Sequence, residues 1–272
     1  MMPKSAAPGV SSVDTMDRDL TALDAHRLLP RLLRGVDQVD STVEISGLSL
    51  DAPLLPLLFG KPTERPALVP ATDLLAGGQP FTPGRVVALL PNDSMGTLID
   101  AVRALAPLGV AAIALDLSNL ADTAPYGESV WRPRSREELA ELRAAAGLPL
   151  WLAGIASADD ADVALEAGLD AVVVDSAAGR HIGGPAVIEV LPEVVDAVAG
   201  TMEVLAAGAV RDGIDVFRLL AVGADAVVLR GDRPLEHLQR ELHHAMRLTG
   251  CGSFADIGLD AIYAPLFGED RA

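Results

Sequence analysis

Two aspartates end apolar runs in the middle of the chain, and their side chains are suited to acid–base chemistry. Asp116 ends the run AAIALD, and Asp175 ends the run AVVVD. We expect the two runs to be neighbouring strands, so that one carboxyl group could act as general acid and the other as general base. Hydrogen bonding within a loop, or capping of a helix, is the structural alternative for both aspartates.

A second group of residues could bind an anion. Gly208 ends the run EVLAAG, Arg211 follows it, and Arg230-Gly231 stands at the end of the run AVVLR. Backbone amides near the glycines and the bidentate guanidinium of Arg211 together predict a phosphate or carboxylate site. The structural alternative is an arginine paired with Asp212 or Asp215, and the charge of Asp212 would weaken a phosphate site.

Other polar residues have less clear roles. Arg180 and His181 follow AVVVD in a glycine-flanked loop and could recognise an anionic substrate. Structural ion pairing and a solvent-facing histidine are the alternatives. Three histidines belong to the last predicted helix, away from the strand ends, where a solvated face is expected rather than a metal site; they are His237, His243 and His244.

The elements that must position these residues alternate between apolar runs and helical patterns. Runs that are apolar throughout and alternate with helices indicate a parallel sheet covered on both faces. The eight strand candidates are 54–59, 67–69, 86–90, 111–116, 150–155, 171–175, 203–208 and 226–230. Eight strands favour an α/β fold closed as a TIM (β/α)8 barrel, with its site at the carboxyl ends of the strands. An open doubly wound sheet is the alternative, but no G-x-G-x-x-G turn follows the first run.

The N-terminal part of this barrel is irregular. Residues 1–16 are predicted to be a mobile tail, and apolar spacing predicts a helix over 16–33. Residues 42–50 read as a hairpin. The first two strand candidates are joined only by GKPTERP (60–66), which is too short for a normal crossover helix. The segment 71–84 is also irregular, so the sequence predicts one barrel domain, 17–272, with an eroded N-terminal half.

Composition narrows the class of protein. The 21 basic and 38 acidic residues give a net charge of −17, which disfavours binding to nucleic acid and to anionic membranes. Hydrophobic residues form 50% of the chain, enough for a substantial core. Cys251 is the single cysteine, so a disulfide framework is excluded. With no apolar signal segment or span in the sequence, we expect a soluble cytoplasmic protein.

Several stretches resemble one enzyme family. The strongest is VIEVLPEVVDAVAGTMEVLAAGAVRDGIDVFRLLAVGADAVVLRGDRP (187–234), supported by 168–180, 238–258 and 31–57. These stretches are similar to the FMN-dependent α-hydroxy-acid oxidases and dehydrogenases, which include glycolate and lactate oxidases. The resemblance implies a TIM barrel, FMN as the usual cofactor, and an oligomer built from copies of the chain or from the chain and an intact relative.

The resemblance also implies that most of the family's chemistry is missing. The family's catalytic histidine falls on Ala177, and its flavin-neutralising lysine falls on Ala153. The strand-three glutamine and tyrosine fall on Ala88 and Leu90, and the strand-four threonine falls on Asp116. In the turn after strand seven, the aspartate and the second glycine fall on Ala207 and Ala209. Three family residues are retained in type and position: Arg180, Gly208 and Arg211.

Three functions follow as hypotheses. The first is a degenerate family member that has lost catalysis and serves as a pseudoenzyme or a partner or scaffold subunit. The second is a repurposed non-redox enzyme, a lyase, isomerase or cyclase that acts on an apolar or phosphorylated small molecule. The third keeps FMN with altered catalytic groups. FMN binding itself is left open, since its expected contacts are largely lost.

Overall fold

The chain is described by a computed structural model for residues 12–60, 63–77, 80–118, 133–179, 182–231 and 233–264. Two antiparallel strands, β1 (Val43–Ile45) and β2 (Leu48–Leu50), form the predicted hairpin. Among the described residues, no helix combines the length and apolar character needed to cross a membrane.

Eight parallel strands close into a barrel, which confirms the predicted TIM-barrel fold. The strands are β3 (Leu54–Leu57), β4 (Ala67–Pro70), β5 (Val86–Pro91), β6 (Ala112–Asp116), β7 (Leu150–Ile155), β8 (Ala171–Asp175), β9 (Glu203–Ala207) and β10 (Ala226–Arg230). Their order around the barrel is β10-β3-β4-β5-β6-β7-β8-β9. All eight strand candidates of the sequence therefore form barrel strands.

Helices surround the barrel. In the described residues they are α1 (Ser12–Ala25), α2 (Ala71–Leu75), α3 (Met95–Leu105), α4 (Arg136–Ala146), α5 (Ala158–Glu166), α6 (Val187–Val198), α7 (Gly213–Ala221) and α8 (Leu235–Thr249). Serine or aspartate caps begin several of them: the hydroxyl of Ser135 accepts the Glu138 N–H, and Asp212 accepts the N–H groups of Ile214 and Asp215. Such caps satisfy amides that lack a partner in the first helical turn.

The strands bury both faces because one faces the barrel interior and the other faces the helices. In β8, Ala171 and Val173 belong to the cluster of buried side chains inside the barrel, here named the interior cluster. Val172 and Val174 of the same strand pack with the helices. The β1–β2 hairpin contributes Ile45, Leu48 and Leu50 to the interior cluster. Consequently the amino-terminal end of the barrel is closed, and its opposite end is left for a site.

The eroded N-terminal half is visible in the first crossover. The described residues between β3 and β4 contain no helix, and the two strands share a single register pair, Leu57 with Leu68. The prediction that 71–84 is irregular was partly wrong, because Ala71–Leu75 forms the five-residue helix α2. This short helix follows β4 directly.

The predicted bounds of the first helix, 16–33, were wrong at both ends. Helix α1 runs over Ser12–Ala25, so part of the predicted tail is helical, and residues 1–11 lie outside the described residues. Leu28 instead forms a bridge with Ile262, and Leu32–Arg34 is a separate 3-10 turn. Pro30 prevents a helix from running through to residue 33, since proline lacks an N–H and disfavours helix in the residue before it.

Candidate functional site at the carboxyl ends of the barrel strands

Strand alternation directs three charged residues toward the open end of the barrel. Alternate residues of β6, β8 and β10 belong to the interior cluster: Ala112 and Ala114, Ala171 and Val173, and Ala226 and Val228. Two positions further along the same faces stand Asp116, Asp175 and Arg230. Because residues two apart share a face of a strand, all three lie in the top layer of the barrel.

The prediction that Asp116 and Asp175 end neighbouring strands was wrong. Asp116 ends β6 and Asp175 ends β8, and β7 lies between these two strands. The Asp116 carboxylate accepts the N–H of Ser118 at 2.8 Å. The Asp175 carboxylate accepts the N–H of Ala177 at 2.9 Å. Both aspartates therefore stabilise the loops that follow their strands, which was the structural alternative for each.

Asp175 also forms an ion pair with Arg230. Its side chain is 5% exposed, whereas that of Arg230 is 47% exposed. Burial raises the pKa of Asp175 above its usual range, and the Arg230 guanidinium and the Ala177 amide oppose part of this shift. The negative charge of Asp116 raises the pKa of Asp175 further, so the two carboxyl groups interact although they do not pair.

The open end of the barrel holds a cavity of about 410 Å³, here named the mouth cavity. Its lining is mixed in polarity, with apolar side chains that include Leu57 and Leu89. Asp116 and Arg230 supply charged groups, and Ala177 stands where the resemblance would put a catalytic histidine. The mouth cavity can hold a small molecule with an apolar body and an anionic group that pairs with arginine.

A second cavity of about 220 Å³, here named the side cavity, lies between the barrel and α1. Ala177 and Arg230 line both cavities. Helix α1 presents Thr15, Asp19 and Leu23 at a spacing of four residues, and all three are buried. Thr15 and Asp19 line the side cavity, and α1 packs against α6 and the turn after β8.

The Asp19 carboxylate receives hydrogen bonds from three separate segments. The Ser176 hydroxyl donates at 2.6 Å, the Ala209 N–H at 3.1 Å and the Val187 N–H at 3.3 Å. We name these three donors the amide site. Asp19 is 3% exposed, and a Cβ at Gly208 would lie 3.0 Å from its Oδ2 atom. The amides near Gly208 that were predicted to bind phosphate therefore face a carboxylate of the chain itself.

Arg211 is likewise engaged by the chain's own carboxylates. Its Nε atom donates to Asp215 at 2.8 Å, and its Nη1 atom donates to Asp24 at 2.9 Å. Arg218 completes the group by donating to Asp215 at 2.7 Å. Of the two pairings considered from sequence, the one with Asp215 is present, while the Asp212 carboxylate caps α7.

Asp215 is the buried centre of this cluster, with a side chain that is 0% exposed. Burial alone would raise the pKa of Asp215, but hydrogen bonds from the Arg211 guanidinium and N–H outweigh it, so the pKa is lowered. The Arg211 guanidinium also lowers the pKa of Asp24. The two arginines and two aspartates together carry no net charge, so the cluster has little residual attraction for an external anion.

Several predicted site residues lie elsewhere or outside the described residues. Arg180 and His181 are outside them, so their role in recognising a substrate stays a prediction. Gly231 is in the left-handed region, with φ +92°, directly after Arg230. The expected solvated face was wrong for His243, because its Nε2 atom lies 2.8 Å from the Ser41 hydroxyl. His237 and His244 are exposed.

The carry-over of family positions onto β5 was shifted by one residue. Ala88 and Leu90 pack with the helices, whereas Val87 and Leu89 are on the interior side. A one-residue slip in a strand reverses every side chain between its two faces. The interior residues of β5 are still aliphatic. Ala153 and Ala207, by contrast, are in the interior cluster as the carry-over requires.

Sequence reasoning missed the contribution of α1. Asp19 and Asp24 were not singled out, and neither was Ser176. The available signal was an aspartate in the middle of a buried stripe, since Thr15, Asp19 and Leu23 recur every four residues. A carboxylate on the buried stripe of a helix requires partners from the surface on which the helix docks.

Comparisons with known proteins agree with the barrel fold. The family described as FMN-dependent dehydrogenase matches residues 97–264, well over half of the chain. An L-lactate oxidase from Nostoc sp. is 40% identical over 136 residues, covering 44% of this chain and 37% of the oxidase. Human 2-hydroxyacid oxidase 1 is 39% identical over 132 residues, covering 43% of this chain and 36% of that protein.

The fold is shared over nearly the whole chain. The crystal structure of mandelate oxidase with benzoyl-formic acid superimposes with a TM-score of 0.74 and 25% identity, over 95% of this chain and 91% of that one. The sequence matches, however, span well under half the length of the curated relatives. The family match and the closed parallel barrel lead to one conclusion: the chain belongs to the FMN-dependent dehydrogenase family.

Proposed function

We propose that this chain is a degenerate member of its family that does not oxidise 2-hydroxy acids and acts as a non-catalytic partner subunit. The observation that carries the proposal is Ala177, which lines both cavities at the position where the resemblance puts the catalytic base. A methyl group can neither accept nor donate a proton. Loss of a general base alone costs about two to four orders of magnitude in rate.

The charged groups beside Ala177 support the same proposal because they are engaged with one another. Asp175 is paired with Arg230 and accepts the Ala177 N–H. Asp19 is bound by the amide site. Neither carboxylate is placed to take over the missing base without breaking the contacts that hold its loop or helix.

FMN, which the family name implies, does not fit the residues that would meet its phosphate. In TIM barrels the phosphate commonly lies at the loops after the seventh and eighth strands and the N-terminus of a nearby helix. Here Asp19 already accepts the N–H of Ala209, after the seventh barrel strand, and that of Val187, at the start of α6. A phosphate there would meet a buried carboxylate of like charge. Arg211 offers no compensation, because Asp24 and Asp215 neutralise it.

Turnover measurement tests the catalytic half of the proposal. The purified chain, supplied with FMN, would be assayed with L-lactate, glycolate and mandelate, using a dye as electron acceptor. We expect rates equal to those of FMN alone, and an intact 2-hydroxy-acid oxidase serves as positive control. Oxidation of any of these acids at an ordinary enzymatic rate, about one per second or faster, would refute the proposal.

Exposed apolar side chains support the proposed role as a partner subunit. Leu33 is fully exposed, and Leu32 and Leu259 are each about two-thirds exposed. The segments that carry them are neighbours, since the Leu29 N–H donates to the Ala261 carbonyl at 2.8 Å. An apolar patch of this kind is typical of a protein interaction surface. The occupant we propose is a second chain of the same fold, either another copy or a relative with an intact site.

Sedimentation equilibrium tests that occupant, with the chain alone and mixed with an intact relative. We expect an assembly in at least one case, and we expect Leu33→Glu to dissociate it. Ile182→Glu is the matched control, because Ile182 is similarly exposed but follows β8 at the mouth end. A monomer in both cases, or equal effects of the two substitutions, would argue against this surface.

One observation favours a second candidate, a repurposed non-redox enzyme. Asp116 lines the mouth cavity together with Arg230, and its carboxylate accepts the N–H of Ser118. A carboxylate so placed could move a proton on a small anionic substrate that contacts the exposed part of the Arg230 guanidinium, beside its Asp175 partner. If a lyase or isomerase activity is found, Asp116→Asn should lower kcat by at least about a hundredfold. An unchanged kcat would remove Asp116 from that role.

A further inference from the structure

We propose that helix α1 is a built-in occupant of the amide site, so that the Asp19 carboxylate takes the place of an external anion and keeps phosphate groups out. This inference goes beyond the proposed function, since a family member without its base could still bind a phosphorylated ligand. Access to the amide site and turnover are therefore separate properties of the chain.

The geometry of the amide site is that of an anion site. The three donors come from the turn after β8, the first residue of α6 and the loop after β9. Backbone amides at a helix N-terminus attract negative charge, and α6 is a full helix of 12 residues. One carboxylate here satisfies donors from three segments that are more than 150 residues away from it in the chain.

Covalent attachment makes this occupant hard to displace. A carboxylate on the chain competes with a free anion at an effective concentration that a dilute ligand does not reach. Two further contacts fix α1: Leu23 is buried in the core, and Asp24 pairs with Arg211. Leaving the amide site would require α1 to move as a unit and would give up these contacts as well.

The side cavity shows where an external anion would lie if Asp19 were removed. It adjoins Asp19, Gly208 and Ala209 and has a volume of about 220 Å³, which is ample for phosphate. Thr15 is 6% exposed, and its Oγ1 atom is buried without a hydrogen-bond partner among the described residues. Thr15 is one of the residues that line the same cavity, so an entering anion would lie close to an unpartnered buried hydroxyl.

The test compares Asp19→Ala with Asp17→Asn in the full chain, using inorganic phosphate as the probe. Both substitutions remove one negative charge from α1, but Asp17 is exposed. Thermal unfolding would be followed over a phosphate titration, with ionic strength held constant by sodium chloride. We expect saturable stabilisation by phosphate in Asp19→Ala, with an apparent affinity at least about tenfold higher than in wild type or Asp17→Asn.

Two results would overturn the inference. One is phosphate binding by the wild type that is as tight as binding by Asp19→Ala; the other is a folded Asp19→Ala protein that gives no phosphate response. If Asp19→Ala does not fold, the inference is tested instead by amide hydrogen exchange of the wild type with and without phosphate. We expect the N–H groups of Val187 and Ala209 to exchange at rates that phosphate leaves unchanged, and slowing by phosphate would contradict the inference. Each result is independent of whether any 2-hydroxy acid is oxidised.

Discussion

Substitution of Asp215 by asparagine should destabilise the protein strongly. The side chain of Asp215 is fully buried and accepts hydrogen bonds from the N–H and guanidinium of Arg211 and from Arg218. Asparagine keeps one acceptor oxygen but loses the negative charge, and its amide group would face cationic donors. Removing one partner of a buried ion pair typically costs 3–5 kcal/mol. Because Asp24 still balances part of the positive charge, we expect the lower end, about 3 kcal/mol.

Chemical denaturation at neutral pH measures this cost, and Asp212→Asn is the matched control. It makes the same chemical change three residues away, but asparagine caps a helix about as well as aspartate does. We therefore expect Asp212→Asn to change the free energy of unfolding by less than about 0.5 kcal/mol. In thermal unfolding, a loss of about 3 kcal/mol at Asp215 corresponds to a fall in Tm of about 5 °C for a chain of this length.

The pH dependence gives an independent check. Since the pKa of Asp215 is lowered in the folded protein, its charge contributes stability above the ordinary value of 3.8, and this contribution is lost as pH falls toward the lower folded pKa. The difference between wild type and Asp215→Asn should therefore narrow below pH 3.8. If Asp215→Asn were as stable as Asp212→Asn at neutral pH, Arg211 would not be committed to this cluster and our account of the anion contacts would be refuted.

Three further predictions concern stability. Burial raises the pKa of Asp175 above 3.8, so the folded protein holds this proton more tightly than the unfolded chain does. As pH rises from 3.8 through the raised folded pKa, wild type should lose stability relative to Asp175→Asn, measured by chemical denaturation at a series of pH values. Gly213→Ala should lower the free energy of unfolding by about 1–3 kcal/mol or more, because the new Cβ would overlap the backbone of α8. Gly96→Ala in α3 has open space around it and should leave the free energy of unfolding unchanged or raise it in the same assay. Trp151→Phe should lower the free energy of unfolding by about 1–3 kcal/mol, because it removes the indole N–H that donates to the Ser46 hydroxyl. A decrease below about 0.5 kcal/mol in chemical denaturation would contradict this prediction.

The barrel could be predicted from sequence because its signal is local. Strands such as AVVVD and AVVLR are apolar on both faces, and helices with clear caps separate them, as at Ser135 and Asp212. The shortened first crossover was also visible, in seven residues with two prolines. These features depend on neighbouring residues, so the chain order alone reveals them.

The site could be predicted only in part because its contacts are between distant segments. Asp19 reaches Ser176, Val187 and Ala209, which no periodicity relates to residue 19. The sequence already contained the evidence against adjacent strands for Asp116 and Asp175, since the run LWLAGI lies between them and forms β7. The position of α1 depends on the buried contacts of Asp19 and Leu23 with distant parts of the barrel, and these contacts exist only in the folded chain.

Equilibrium dialysis of the full chain against FMN tests the central claim most directly. We expect the total FMN concentration to be equal on both sides of the membrane, because Asp19 and Asp24 already hold the donors that the phosphate would need. An intact 2-hydroxy-acid oxidase on the protein side serves as positive control for the measurement. Accumulation of FMN with the chain, at one flavin per protein and micromolar or lower Kd, would contradict it.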